Sequence, residues 1–330
     1  MRVNPLVTVI VPNYNHARYL PSRLDSILEQ TYENFELIIL DDKSTDNSLE
    51  VINKYREEPR LREVIVNKVN SGSPFIQWER GIKLAKGKYI WIAESDDYAD
   101  PQFLEKCVVA MEQHPQSVIC MSGSHFADES GNILHNKLER WSKPSDDIIV
   151  DSGIDFIPRM FHQNLVYNAS MVLFRREGAL SETDMQFTKM RYCGDWLFWM
   201  EQMSKGDVLT IRQKLNYFRQ HSENTTKKGA INNSSENEIT YIRIKLYDKL
   251  SSFNIKGLSR RDLALFKGNT YRAIKHMNVS KEEKRALFKD LQKRFKITIW
   301  DYYKSRYIKI VHRKAIKQAA QEAETAAKYD

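Results

Sequence analysis

Three clusters of polar side chains stand directly after short apolar runs. Val7–Val11 leads into Pro12-Asn13-Tyr14-Asn15, Glu36–Leu40 into Asp41-Asp42, and Tyr89–Ile92 into Glu94-Ser95-Asp96-Asp97. Singly, each cluster is ordinary, because Asp and Asn are common in turns and caps. Asp46, within Ser44-Thr45-Asp46, reads as a helix cap of this kind. Two carboxylate pairs at the ends of apolar runs are less ordinary. Crowded carboxylates repel one another unless a cation or hydrogen-bond donors offset them. A hard divalent cation with oxygen ligands, shared with bound phosphates, is the partner this pattern expects.

Other chemistries leave no trace. No G-x-G-x-x-G follows the first apolar run, and no P-loop or H-E-x-x-H occurs. No G-x-S-x-G elbow is present. Cys107, Cys120 and Cys193 form no C-x-x-C pair and no disulfide framework. Phosphates, if bound, would be held through a cation rather than a glycine cradle.

The clusters need a frame. Val7–Val11, Glu36–Leu40, Val64–Val66, Tyr89–Ile92 and Val118–Met121 read as buried strands. Between them, Leu20, Leu24, Ile27 and Leu28 recur at helical spacing behind Pro21. Leu49, Ile52 and Tyr55 form a second apolar stripe. Helices are expected across 75–86, with Gly87 as C-cap, and across 101–113. This alternation predicts an α/β fold, a single mainly parallel sheet flanked by helices, with ligands beyond the carboxyl ends of its strands. Residues 123–170 read as loops and a helix around the site. Met171–Phe174 is a further strand, and Asp195–Met203 an amphipathic helix.

The chain has 330 residues, more than one compact core usually needs. A first domain is expected over 1–228, a polar linker over 229–240, and a basic helical C-terminal region over 241–330. Charge divides along the same line. Residues 1–240 hold 28 Lys and Arg against 34 Asp and Glu, a balance of −6, whereas residues 241–330 hold 23 against 9, a balance of +14. A basic region of this kind suits an anionic surface. Within it, Ile299, Trp300, Tyr303, Tyr307, Ile310 and Val311 share one helical face, with Lys304, Arg306, Lys309, Arg313, Lys314 and Lys317 largely off it. That is the composition of a helix lying at an anionic membrane surface; packing against other helices or a second subunit is the alternative. No run of 18 apolar residues occurs and the N-terminal apolar run is too short for a signal peptide. The expected location is therefore cytoplasmic, with the protein peripheral on the inner face of the membrane if the basic region binds it.

The ordered set of motifs resembles family 2 glycosyltransferases of the GT-A fold, of bacterial polysaccharide and lipopolysaccharide type. The resemblance rests on Val9–Asn15, Leu40–Asp46, Gly87–Ile90 leading into Glu94–Asp97, Asn168–Arg176, Gly194-Asp195-Trp196 and Phe218–His221. It covers about residues 5–225 and does not extend to residues 240–330. It implies a nucleotide-sugar donor, with UDP favoured, a glycan or lipid-linked acceptor, and Mn2+ or Mg2+. It also implies roles for individual residues. Pro12, Tyr14, Asn15, Asp42 and Asp96 would bind the nucleotide, Tyr14 by stacking on the base and Asp42 by accepting its imide N–H. Asp97, at a solvent-facing strand end, and His221 would hold the metal. Asp195 would be the base that deprotonates the acceptor hydroxyl, giving an inverting transfer. This chain departs from the family pattern at Gly194, where a carboxylate usually precedes the base, and at Trp78-Glu79-Arg80-Gly81, where Arg-Asn is common.

Two rival functions remain. A sugar-phosphate nucleotidyltransferase would share the nucleotide and metal, but it resembles a G-x-G-x-R loop that Pro12–Asn15 replaces. A non-enzymatic membrane-binding module would use the basic region alone. Nothing resembles an RNA- or DNA-reading motif, so nucleic acid is not an expected partner.

Overall fold

The computed structural model describes residues 4–135, 145, 147–161, 163–180, 185–221, 235–252, 260–276 and 279–311. The chain divides into two compact units, Met1–Asn232 and Asn233–Asp330.

The first unit begins as a parallel sheet with strands β1 (Val7–Asn13), β2 (Phe35–Asp41), β3 (Leu61–Val66) and β4 (Tyr89–Ile92). Each crossover carries one helix: α1 (Leu20–Leu28), α2 (Ser48–Asn53) and α3 (Pro74–Leu84). β1 is buried along its whole length. Val7, Val9 and Val11 face a core shared with Leu20, Leu24, Ile27, Leu37, Ile39 and Trp91. Its other face turns Ile10 toward α3, so both sides of the sheet are covered, as continuous β-branched runs require.

β1 pairs with β2 and β4 in parallel, and β2 with β3. The short strand β5 (Tyr98–Ala99) precedes α4 (Phe103–Gln113) and the long β6 (Ser117–Ala127). After β7 (Ile133–Leu134) and β8 (Ile148–Asp151) come α5 (Gly153–Phe156) and β9 (Val172–Arg175). β9 runs antiparallel between β4 and β6. α6 (Gly194–Met203) and β10 (Asp207–Arg219) complete the unit, and β10 lies parallel to β6. The main path of the sheet is β3-β2-β1-β4-β9-β6-β10-β5.

Three local expectations change. α3 closes at Ala85, and Gly87 instead donates its amide to Thr8 Oγ1 at 2.8 Å, tying the start of β4 to β1. β6 continues six residues past Met121 into the stretch read as loop. It can do so because Ser124, though polar, is buried against Asn216 of β10, whose Nδ2 donates to its hydroxyl at 2.9 Å. β10 itself has no counterpart in the sequence reading. Arg212 and Lys214 interrupt its apolar pattern, and its pairing with β6 shifts register between Ile211 and Asn216.

The second unit is helical: α7 (Ser235–Ser252), α8 (Arg260–His276), α9 (Lys281–Phe295) and α10 (299–311). α7 starts inside the stretch expected as linker; residues 222–234 lie outside the described residues. Ser280 and Glu283 form a reciprocal capping box at the start of α9. Ile242, Leu246, Phe266, Ile274, Leu291 and Phe295 form the buried interior. α10 lies close on α8 because position 268 is glycine: a Cβ there would come within 2.3 Å of Ser305 Cβ. The opposite face of α10 is open, with Trp300 76%, Tyr303 54% and Tyr307 67% exposed. Arg313, Lys314 and Lys317, expected beside that stripe, lie outside the described residues. Among the described residues, no helix is long and apolar enough to cross a membrane.

Candidate active site

The carboxyl ends of β1 and β2 are locked to each other by side chains. Asn13 Nδ2 donates to Asp41 Oδ1 at 2.7 Å, and the Ser44 amide and hydroxyl donate to the same carboxylate. Asn15 takes the left-handed conformation at φ 56°, which Asn tolerates. There its amide donates to Ser44 Oγ and its Oδ1 accepts from the Thr45 amide at 2.7 Å. Pro12, in register with Leu40, is the penultimate residue of the buried strand. Between these fixed points Tyr14 stands 45% exposed. The N-cap of α2 is Asn47 rather than Asp46; Asp46, one residue earlier, accepts from the Ser48 amide and from the Ala17 amide and so ties the two loops.

Asp42 is nearly buried at the end of β2. Its carboxylate accepts from Asn67 Nδ2 at 2.6 Å, from the Ser71 amide and hydroxyl, and from Gln77 Nε2 at 2.9 Å. A carboxylate offers about four lone-pair sites, so a base N–H reaching Asp42 would replace one of these donors. Arg80 is hydrogen-bonded to Asn67 in the same group.

Beyond β4 the chain turns sharply and sends its carboxylates in different directions. Glu94 accepts from Trp78 Nε1 at 2.9 Å. Burial, reinforced by the charges of Asp96 and Asp97, pushes its carboxyl up to about 8. Asp96 Oδ2 lies 2.9 Å from His221 Nε2. Burial opposes its ionisation, but the His221 bond and the charges of His16 and His221 outweigh that and hold it below the usual carboxylate range. His16 is hydrogen-bonded to Ser95 Oγ at 2.7 Å, and burial lowers its pKa. One ligand atom from each of His16, Asp96 and His221 lies within 4.8 Å of the others, a set able to hold a metal ion.

Asp97 is not at a solvent-facing position, contrary to expectation. It is 0% exposed, on the inner side of the turn. Asn168 Nδ2 and Ser170 Oγ donate to its Oδ2 at 2.6 and 2.7 Å, and the Arg219 amide donates to its Oδ1 at 3.0 Å. Arg23 Nη2 is 4.0 Å away, also fully buried. Burial pushes Asp97 up to about 6, with the Asp96 charge adding to it, and burial lowers Arg23 to about 10. Arg23 Nε donates to the Glu94 carbonyl at 2.9 Å. This network joins α1, the end of β4, the turn at Ala169–Met171 and the end of β10. Removing one partner of a buried ion pair leaves the other uncompensated. Asp97→Ala should therefore cost about 3–5 kcal/mol of stability, read as a lowered denaturant midpoint. An unchanged midpoint would show that Arg23 is satisfied without it.

Asp195 stands in the first turn of α6, half-buried, and accepts from Asn164 Nδ2 at 2.7 Å. Gly194 has a steric origin. A Cβ there would lie 2.5 Å from the Phe187 carbonyl and 2.6 Å from the Phe75 ring. The helix start is packed too tightly for any side chain at position 194.

The sequence reading missed His16, Arg23 and Ser95 as members of the site. Arg23 carried a signal: three after Leu20 and four before Ile27, it falls on the buried stripe of α1. His16 follows Asn15 directly, but its spacing gave no sign that it meets His221.

The strand order, the alternating helices and the carboxylate–imidazole cluster beyond β4 define the GT-A architecture. The overall fold is similar to that of S. aureus TarS residues 1–349, with TM-score 0.57 at 18% identity over 94% of this chain and 91% of that one. It is also similar to the same fragment in complex with UDP-GlcNAc, with TM-score 0.56 at 16% identity over 94% and 92% of the two chains. The profile described as Glycosyl transferase family 2 matches residues 8–177, and the chain belongs to that family of glycosyltransferase enzymes. An uncharacterized glycosyltransferase of Haemophilus influenzae is 29% identical over 242 residues, 71% of this chain and 70% of its own length. The poly(ribitol-phosphate) beta-glucosyltransferase of Bacillus spizizenii is 40% identical over 215 residues, 64% of this chain but only 32% of its own length.

Proposed function

We propose that the chain is an inverting glycosyltransferase, moving a sugar from a UDP-sugar to a hydroxyl of a glycan or lipid-linked acceptor. The observation that carries this reading is the His16–Asp96–His221 cluster beyond β4, on the same sheet edge as Tyr14 and Asp42. TarS, a neighbour in fold, has been solved with UDP and with UDP-GlcNAc.

The donor set of the cluster fits a divalent cation. Asp96 and His221, with His16, would hold it, and two imidazoles beside one carboxylate suit Mn2+ better than Mg2+. Bound there, the cation neutralises charge on the leaving diphosphate. Tyr14 offers its exposed ring to the base, between Pro12 and Asn15. Asp42, an acceptor when ionised, favours a base with an imide N–H. Asp195 takes the proton from the acceptor hydroxyl, oriented by the Asn164 amide. A single base and direct displacement at the anomeric carbon give inversion.

A donor screen tests this. Nucleotide release is expected from UDP-sugars, faster with Mn2+ than with Mg2+ and lost with EDTA, and calorimetry is expected to show UDP binding more tightly than CDP. Turnover of UTP plus a sugar phosphate would instead identify a nucleotidyltransferase.

A lipid-linked acceptor accords with the open aromatic face of α10. Lys304 and Arg306 flank Trp300, Tyr303 and Tyr307 on its two sides, an arrangement suited to an anionic headgroup region. Full-length protein should pellet with anionic vesicles and much less with neutral ones. Trp300→Ser with Tyr307→Ser should abolish that difference. Equal pelleting with both lipids would leave the stripe as a packing surface and remove the case for a cytoplasmic enzyme peripheral on the membrane.

A further inference from the structure

The segment that ends β10 grips Asp96 at both of its ends. His221 Nε2 meets the Asp96 carboxylate at 2.9 Å. Arg219, two residues earlier, reaches the backbone of the same residue, its Nε donating to the Asp96 carbonyl at 2.8 Å. The Arg219 amide donates to Asp97 Oδ1 at 3.0 Å. One residue therefore touches both members of the acidic pair, the first through its side chain and the second through its backbone. Arg219 is itself buried, 4% exposed. Its guanidinium lies 4.9 Å from the Tyr19 ring centroid and 5.3 Å from that of Tyr98. Nη1 donates to the Glu129 carbonyl at 2.9 Å, in the turn between β6 and β7. The Tyr98 hydroxyl ties the same turn, donating to the Gly131 carbonyl at 2.7 Å. The Gln220 amide donates to the Ala127 carbonyl at 2.7 Å, so the path of the chain stays fixed from Arg219 to His221.

We propose that Arg219 is a positioning residue of the cation site: by fixing the Asp96 peptide, it aims that carboxylate at His16 and His221. This rests on the cation reading of the cluster given above. Adjacent carboxylates repel, so the turn after β4 must send them apart. Arg219 sets the division, holding Asp97 inward by its amide and the Asp96 carbonyl by its side chain. A planar guanidinium with donors in a fixed fork can span two carbonyls, and the two rings beside it restrain its plane. Its charge works against the site, because a guanidinium near a cation repels it. The sign of the effect therefore separates geometry from charge. Loss of Arg219 weakens cation binding if it acts by positioning and strengthens it if only its charge is felt.

The experiment titrates Mn2+ into full-length protein in the presence of UDP and reads free Mn2+ by electron paramagnetic resonance, with no turnover required. Arg219→Met keeps an apolar stem but loses the charge and the donors. It should bind Mn2+ about tenfold more weakly or worse, as loss of a group that orients a metal ligand does. Arg219→Lys, able to reach one carbonyl, should fall between Arg219→Met and wild type. In UDP-sugar turnover both variants should show a raised KM for Mn2+, with most of the loss recovered at saturating Mn2+. A merely structural role would lower the melting temperature and leave the Mn2+ affinity of the folded protein unchanged. Tyr98→Phe unties the turn at Gly131 but keeps a ring beside the guanidinium, and it should bind Mn2+ as wild type does; weakening equal to that of Arg219→Met would assign the effect to the turn instead. Wild-type or tighter Mn2+ binding by Arg219→Met overturns the proposal. If that variant does not fold, Arg219→Lys decides, and wild-type affinity there overturns it equally. Absence of Mn2+ binding by the wild-type protein would defeat the cation reading itself, whereas wild-type binding with unaffected variants defeats the positioning role alone.

Discussion

Asp96→Ala should abolish sugar transfer together with the cation-dependent part of UDP binding. Asp96 is the carboxylate whose oxygen meets both imidazoles, within 4.8 Å. Cation stabilisation of a leaving diphosphate is worth several kcal/mol, so a fall of about 10²–10³-fold or more in turnover is expected. The fold should survive, because Asp96 is not a partner in the Arg23–Asp97 network. Asp97→Asn is the informative contrast. It keeps the shape and the acceptor oxygen that Asn168 and Ser170 reach, and it should retain Mn2+-dependent UDP binding. Calorimetry of UDP with and without Mn2+ separates the two. Loss of the Mn2+ effect in Asp97→Asn, with Asp96→Ala unaffected, would return the metal to Asp97.

Asp195→Asn should leave donor binding intact and slow transfer by roughly 10²–10⁴-fold, the range for loss of a general base. The amide is isosteric, so packing at the start of α6 persists, but it cannot accept the acceptor's proton at neutral pH. Asn164→Ala tests orientation rather than chemistry. It removes the 2.7 Å bond to Asp195 Oδ2 and should lower turnover less than Asp195→Asn does. The measurement is single-turnover transfer at saturating donor, alongside UDP affinity. Undiminished transfer in Asp195→Asn would place the base on another residue.

The frame of this site was legible because burial on both faces forces a distinctive text. β1, β2 and β4 are almost unbroken apolar runs, and the polar residues after them can only sit at strand ends. What each polar residue does there was less legible. Asp96 and Asp97 are neighbours in sequence, yet the turn after β4 aims one at two histidines and the other into the protein. Nothing in an Asp-Asp pair says which is which; the deciding partners, Asn168, Ser170 and the Arg219 amide, arrive from distant segments. β10 escaped because Arg212 and Lys214 break its pattern just where its register shifts. Gly194 looked like a lost carboxylate in sequence and is a packing requirement in space.

The hydrogen bond from the Arg219 amide to Asp97 spans 122 residues, and the His221–Asp96 contact spans 125. During synthesis the chain leaves the ribosome from its N-terminus, so β1 to β4 and their helices emerge well before either closing contact exists. Until the last strand of the first unit has emerged and zipped alongside β6, Asp97 lacks one of its ties, and Asp96 lacks one of its imidazoles. Contacts of such long sequence separation form slowly. A nascent chain stalled before residue 207 should thus be unable to retain a nucleotide, while one released a few dozen residues later should. Competence in this enzyme is therefore expected only late in translation.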